Sequence, residues 1–222
     1  MRREKPEMPQ EKRRAVLDAA VREFADRGYE KGSTNRIIQE SGISKGLLFH
    51  YFGTKKNLFL AALDDCLDFS IRYYYEHLPE LSSDLSERLL QANRVKFRMF
   101  HEHPDRSRFL MAAFVDPTRE IRRELEVRRE RLGREHWGRF FEGIDYSRFR
   151  EDIDPQKGME LFVTVLESIG EKYLSRFSGE GGFNLEQLNR VLDGVMKEME
   201  EYLKILRYGL YRKEEKNDAP AD

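Results

Sequence analysis

The sequence predicts an all-α protein in which three short helices form a small N-terminal unit and longer helices build a larger body. Three observations predict it. Lys, Arg, Glu and Leu dominate a composition with only 7 prolines. Alternation of β-branched and polar residues, the signature of half-buried strands, is nearly absent. Apolar residues instead recur at helical spacing, with glycines and prolines marking the breaks.

Each element can be justified in order. Leu17, Ala20, Val21 and Phe24 fall at i, i+3, i+4 and i+7, one stripe of a helix over residues 10–28 that stops at Gly28. Ser33 then stands before a short helix over 34–41 whose Ile37 and Ile38 face inward, and its hydroxyl is placed to cap the first turn. Gly42 ends that helix, Ile43 is the apolar plug of the turn, and Ser44 caps a third helix over 45–52. After Gly53, Thr54 caps a long helix that runs to 77 and is broken by Leu78-Pro79. Further helices are expected over 84–103, from Pro104, from Pro117 to 143, over 155–177 and over 184–212. The helix from Pro117 is laced with Glu-to-Arg spacings such as Glu124 with Arg128 and Glu130 with Arg134, marking a solvated face. Residues 145–154 and 178–182 read as loops and 213–222 as a disordered tail. The expected domains are therefore 1–53, with 1–9 flexible, and 54–212.

Whole-chain charge is nearly balanced, 40 Lys and Arg against 41 Asp and Glu, yet it is unevenly distributed. Residues 1–60 hold 13 basic against 8 acidic groups, a balance of +5, whereas the remainder holds 27 against 33, or −6. A basic end on an acidic body suits a nucleic-acid-binding head on a non-binding body. The single Cys66 cannot form an intramolecular disulfide, the N-terminus has no apolar signal segment, and no run approaches a membrane span. A cytoplasmic protein without a membrane partner is expected. Glycine-rich phosphate loops, nucleophile elbows and zinc-protease signatures are missing, so no enzyme, cofactor or metal is expected. His101, His103 and His136 lack the spaced ligands of a metal site.

Residues 33–58 have the spacing of a helix-turn-helix, in which the second helix lies in the DNA major groove and its N-terminal residues meet base edges. Here Ser33-Thr34 opens the first helix, Ser41-Gly-Ile-Ser44 forms the turn, and Phe49-His-Tyr-Phe52 is followed by Lys55-Lys-Asn-Leu58. Over about residues 10–60 the sequence resembles the TetR/AcrR family, with its Thr-rich helix start, Ala-Gly-Val-Ser-like turn, Tyr-x-His/Tyr-Phe segment and Lys-x-x-Leu. Beyond residue 60 the likeness rests on helix layout. The resemblance implies that Thr34 and Asn35 touch phosphate or a base, that Lys45, Gly46, Leu47, Phe49 and His50 face the groove, and that Tyr51 and Lys55 meet phosphates. Ser33 and Arg36 complete that surface; Arg36 stands where an acid is frequent and is expected beside a phosphate. Independently, Lys45 can donate to guanine, Asn35 can pair with adenine, and Lys55 opens a helix whose N-terminus attracts phosphate. Phe49 lacks the hydroxyl of the common tyrosine, while Ile38 and Ser41 replace alanines and imply altered packing between the short helices.

The resemblance further implies a homodimeric repressor released from a palindromic operator on double-stranded DNA by a small effector. The aromatic body suits an apolar one, with Phe97, Phe100, Phe114, Trp137, Phe141 and Phe162 expected around it. The last two helices carry stripes too broad for one protomer to bury, so Leu161, Val165, Leu188, Leu192, Val195, Met199 and Tyr202 are expected at a four-helix dimer interface. Two other readings stay open at this point: a DNA-binding regulator or architectural protein without an effector, and a helical small-molecule-binding protein whose helix-turn-helix is only structural.

Overall fold

The computed structural model describes residues 8–115, 117–175 and 185–212; the segments expected at 178–182 and 213–222 lie outside them. The helices are α1 Gln10–Lys31, α2 Thr34–Ser41, α3 Lys45–Phe52, α4 Lys55–His77, α5 Leu85–Glu102, α6 Pro104–Val115, α7 Arg122–Phe141, α8 Pro155–Ser175 and α9 Leu185–Leu210. A short 3-10 turn occupies Tyr146–Arg148, and one isolated antiparallel bridge joins Phe149 to Tyr211.

Two boundaries differ from expectation for local reasons. Gly28 does break α1, with φ 67° and ψ −179°, but a further turn continues to Lys31 because the Gly28 carbonyl accepts the Gly32 N–H at 3.2 Å. The helix expected from Pro117 begins only at Arg122. Before it, the Thr118 carbonyl accepts both the Ile121 and Arg122 N–H groups at 3.1 Å, and this turn drives Ile121 into the core at 1% exposure.

Packing divides into two main cores. The first gathers Leu17, Val21 and Phe24 of α1, Leu48 of α3, Leu58, Phe59 and Leu63 of α4, Phe109 of α6, and Ile121 and Leu125 around α7. Phe59 meets the rings of Phe24 and Phe109 edge-on at 5.0 and 5.1 Å. Full burial of each such side chain stabilises the fold by roughly 1.5–3 kcal/mol, so the three-helix unit is joined to the body through shared core. The second core packs Leu85 and Leu89 of α5 against Phe162, Leu166 and Ile169 of α8 and Val195, Met199 and Leu203 of α9.

Gly32, between α1 and α2, is required by a close approach. A Cβ there would lie 2.6 Å from the Phe24 ring and 2.9 Å from the Gly28 carbonyl oxygen. Gly32→Ala is therefore expected to destabilise the protein by about 1–3 kcal/mol through overpacking, read as a lower urea midpoint with an unchanged m-value.

Candidate nucleic-acid interface

The helix-turn-helix is assembled from short-range signals. Gly42 takes the left-handed conformation, φ 68° and ψ 15°, that ends α2 without steric cost. Ile43 then turns inward at 7% exposure. The Ser44 hydroxyl accepts the Leu47 N–H at 3.2 Å, and the Thr54 hydroxyl accepts the Asn57 N–H at 3.1 Å, capping α3 and α4 as expected. Ile37 and Leu48, both fully buried, hold α2 and α3 on the first core.

Ser33 departs from expectation. It occupies the N-cap position of α2 in extended conformation, but its hydroxyl makes no capping bond. Its backbone N–H instead donates to Glu23 Oε1 of α1 at 2.9 Å. Glu23 is 7% exposed and is also approached by Arg27 at 3.6 Å and Arg36 at 3.9 Å. Arg36 thus has a structural reason to replace an acid: it faces a buried carboxylate on the neighbouring helix. Within α2, the Ser41 hydroxyl donates back to the Ile37 carbonyl at 2.5 Å.

The predicted contact residues sort by exposure. Asn35, Arg36, Lys45, Gly46 and His50 are exposed, and Ser33, Thr34, Leu47, Phe49, Tyr51 and Lys55 are half-buried. Leu47, Phe49 and Tyr51 pack partly against the first core, leaving Lys45, Gly46 and His50 as the outward face of α3. A Cβ at Gly46 would meet no protein atom within 4 Å. Glycine inside a helix costs about 0.5–1 kcal/mol relative to alanine, and nothing within the protein compensates for it at this position. Lys55 is partly engaged: its ammonium donates to the Glu30 carbonyl at 2.8 Å and lies 5.1 Å from the centre of the Tyr29 ring.

Residues that couple this head to the body were not singled out from sequence. Lys56 bridges to Glu124 at 2.6 Å and to the Glu120 carbonyl at 2.8 Å, and the Tyr29 hydroxyl donates to Glu120 at 2.6 Å. Burial and the Glu120 carboxylate raise the Tyr29 pKa well above the usual phenol value. From α6, Arg106 reaches Asp65 of α4 at 2.8 Å and Asp18 of α1 at 3.4 Å, while Arg108 bonds Asp26 of α1. Arg128 of α7 makes a two-point contact with Asp64 of α4 at 2.6 and 2.7 Å, and donates only to the backbone carbonyl of Glu124, whose side chain was its expected partner. These three guanidinium side chains are 16–17% exposed, sheltered enough to exceed an ordinary surface pair. No sequence periodicity would have revealed them, since each joins separate helices.

In the body, four of the aromatics expected around one effector are divided between two cores. Phe114 packs against the first core, with the Arg129 guanidinium 5.7 Å from the centre of its ring, while Phe162 is fully buried in the second core and Phe97 and Phe141 border that core. Phe100 lies 6.3 Å from Phe97, and the Trp137 side chain is outside the described residues. The expected interface needs a correction. Val195 and Met199 are 6% and 5% exposed within one protomer and cannot also face a partner, and Val165 packs on the same core. The side chains of Leu188 and Leu192 lie outside the described residues. Leu161 and Tyr202 are exposed at 42% and 43%, and Ile205 and Tyr208, absent from the expected set, at 65% and 79%.

Two of the body's histidines make local contacts: His103 meets the Phe69 ring at 4.6 Å, and His136 Nδ1 lies 3.0 Å from the Tyr75 hydroxyl. Cys66 is fully buried, and burial pushes its thiol up to about 12. No helix among the described residues is long and apolar enough to cross a membrane.

A glycine-turned helix pair whose second helix is capped and starts on an outward cation, set on a helical body, is the arrangement of a helix-turn-helix DNA-binding regulator. The profile of "Bacterial regulatory proteins, tetR family" matches residues 16–62. The chain is 28% identical over 189 residues to the transcriptional repressor AcnR of Corynebacterium glutamicum, covering 84% of this chain and 92% of that protein. It is 36% identical over 89 residues to the regulator BetI of Brucella canis, covering 40% and 39%. Its fold superposes on a TetR-family regulator from Chloroflexus aurantiacus with a TM-score of 0.63 at 22% identity, covering 93% of this chain and 96% of that one. Residues 16–62 thus match the TetR-family DNA-binding region, and over most of its length the chain is similar in sequence to TetR-type repressors and in fold to TetR-family regulators.

Proposed function

We propose that the protein is a cytoplasmic, homodimeric repressor that inserts the α3 helices of two protomers into successive major grooves of a palindromic operator and is released by a small apolar effector. It acts by binding, not catalysis. The single observation that supports groove insertion best is Gly46: it is exposed, sits on the outward face of α3, and has no steric reason within the protein. Exposed Lys45 next to it in sequence and exposed Asn35 on α2 are the candidate base readers, and Lys55 keeps two N–H donors for phosphate beyond the one given to Glu30.

Release would travel through contacts already described. Helix α4 runs from the reading head into the body, and α7 lies along it, tied at Lys56–Glu124, Arg128–Asp64 and Tyr75–His136. A ligand entering beside Phe97, Phe100 and Phe141 of α5 and α7 would shift these helices together and change the separation of the two heads. Such coupling is typically about 1–3 kcal/mol and is reciprocal.

Selection of bound sequences from random DNA should recover a pseudo-palindrome with half-sites about one DNA turn, roughly 34–36 Å, apart or a multiple of it. On that operator Lys45→Ala or Asn35→Ala should relax preference at one base position by about 1–3 kcal/mol. Lys55→Ala should weaken binding to all sequences alike and flatten the salt dependence. Equal losses on specific and random DNA for all three variants would refute these roles.

A further inference from the structure

A cavity of about 650 Å³ opens between α1, α4 and the α5–α6 junction, with no residue of α3 in its lining. Its volume falls in the range of small-molecule sites, roughly 300–1,000 Å³. Its walls belong to both parts of the protein: Arg13 and Arg14 come from α1 of the DNA-binding unit, Arg72 from α4, and Arg106 from α6.

The charges there do not cancel. Each acid on the wall has a cationic partner: Asp18 and Asp65 hold Arg106 at 3.4 and 2.8 Å, Glu102 holds Arg98 at 2.8 Å, and Asp105 holds Arg108 at 3.4 Å. Arg22 is taken by Glu40 at 2.5 Å, and Arg14 only touches Asp18 at 3.9 Å with 80% of its side chain exposed. Arg13 and Arg72 are exposed, line the same cavity, and form no ion pair with any described residue. Leu17, Val21 and Phe69 add a small apolar surface between them.

We propose that this cleft is a second ligand site, for a compact organic anion with two or more carboxylate or phosphate groups, bridged between Arg13 and Arg14 on α1 and Arg72 on α4. Guanidinium groups present paired N–H donors that match the oxygens of either group. The apolar surface at Leu17, Val21 and Phe69 would carry the ligand's carbon body. Because the anion would span the reading head and the body, its binding energy is linked to their relative placement and so to operator affinity. The binding itself does not depend on how α3 reads DNA.

The test is calorimetric titration of the full-length protein at matched ionic strength with two probes, benzene-1,3,5-tricarboxylate and inorganic pyrophosphate. Binding of at least one probe is expected, and Arg13→Gln with Arg72→Gln should weaken it by about tenfold or more, since each lost charged hydrogen bond costs on that order. The surface variant Lys45→Gln with Lys55→Gln should leave it unchanged. The bound probe should also shift operator affinity by about fivefold or more. No binding of either probe, binding indifferent to the Arg13 and Arg72 changes, or binding lost with Lys45 and Lys55 would overturn the site. Binding that leaves operator affinity unchanged would overturn its regulatory link.

Discussion

Charging the outer face of α9 is expected to split the dimer and take operator binding with it. In Ile205→Glu with Tyr208→Glu, both altered side chains are mostly exposed, at 65% and 79%, so the protomer should keep its helicity and unfolding midpoint. Large exposed apolar groups along one side of a helix, adjoining Tyr202 at 43%, are costly unless a partner covers them. A pair of carboxylates in that contact would meet their own symmetry mates. Light scattering should give a monomer mass. Operator affinity should fall by about 10²–10⁴-fold, because the second head loses the high effective concentration that the first confers. Val195→Glu is the contrasting variant: at 6% exposure it should unfold the protomer itself. A dimer of unchanged mass in the Ile205 and Tyr208 variant would place the interface elsewhere.

The second large effect is expected at Gly46, where stability and function should move in opposite directions. A Cβ at this position meets no protein atom within 4 Å, and alanine or leucine removes the helix penalty of glycine, so thermal stability should hold or rise by up to about 1 kcal/mol. Operator binding should fall, modestly for Gly46→Ala and by roughly 5–150-fold for Gly46→Leu, the range set by losing one base-pair contact of about 1–3 kcal/mol. Gly32 gives the internal comparison, since there the added Cβ strikes Phe24 and the loss should appear in stability. Unchanged operator affinity in Gly46→Leu would show that α3 does not approach DNA at its start.

Much of this architecture is written in local sequence. The turn at Gly42 and Ile43 and the caps at Ser44 and Thr54 each depend on residues within a few positions of one another, and the structure forms them as read. Ser33 shows the limit of such reasoning. Its hydroxyl has the right chemistry and position to cap α2, yet the bond that forms is from its backbone to Glu23, ten residues earlier on another helix. Arg128 shows the same limit: Glu124 lies one turn away, but the Arg128 side chain takes its carboxylate from Asp64, 64 residues distant in sequence.

The sequence by itself determined the helical class, the helix-turn-helix of the head and the family resemblance, because helix periodicity, capping and turn conformation are short-range properties. Only the tertiary structure decided which apolar residues of α8 and α9 are spent inside the protomer and which remain for a partner. Val195 and Met199 share the stripe with Tyr202, and their exposures of 6%, 5% and 43% follow from where α5 and α8 lie against α9. It likewise decided that the head is bonded to the body through Lys56, Arg106 and Arg108, and that Arg13 and Arg72 share one cleft. Periodicity specifies that a face is apolar or a side chain charged; what it meets depends on helix placement in three dimensions, which no local pattern encodes.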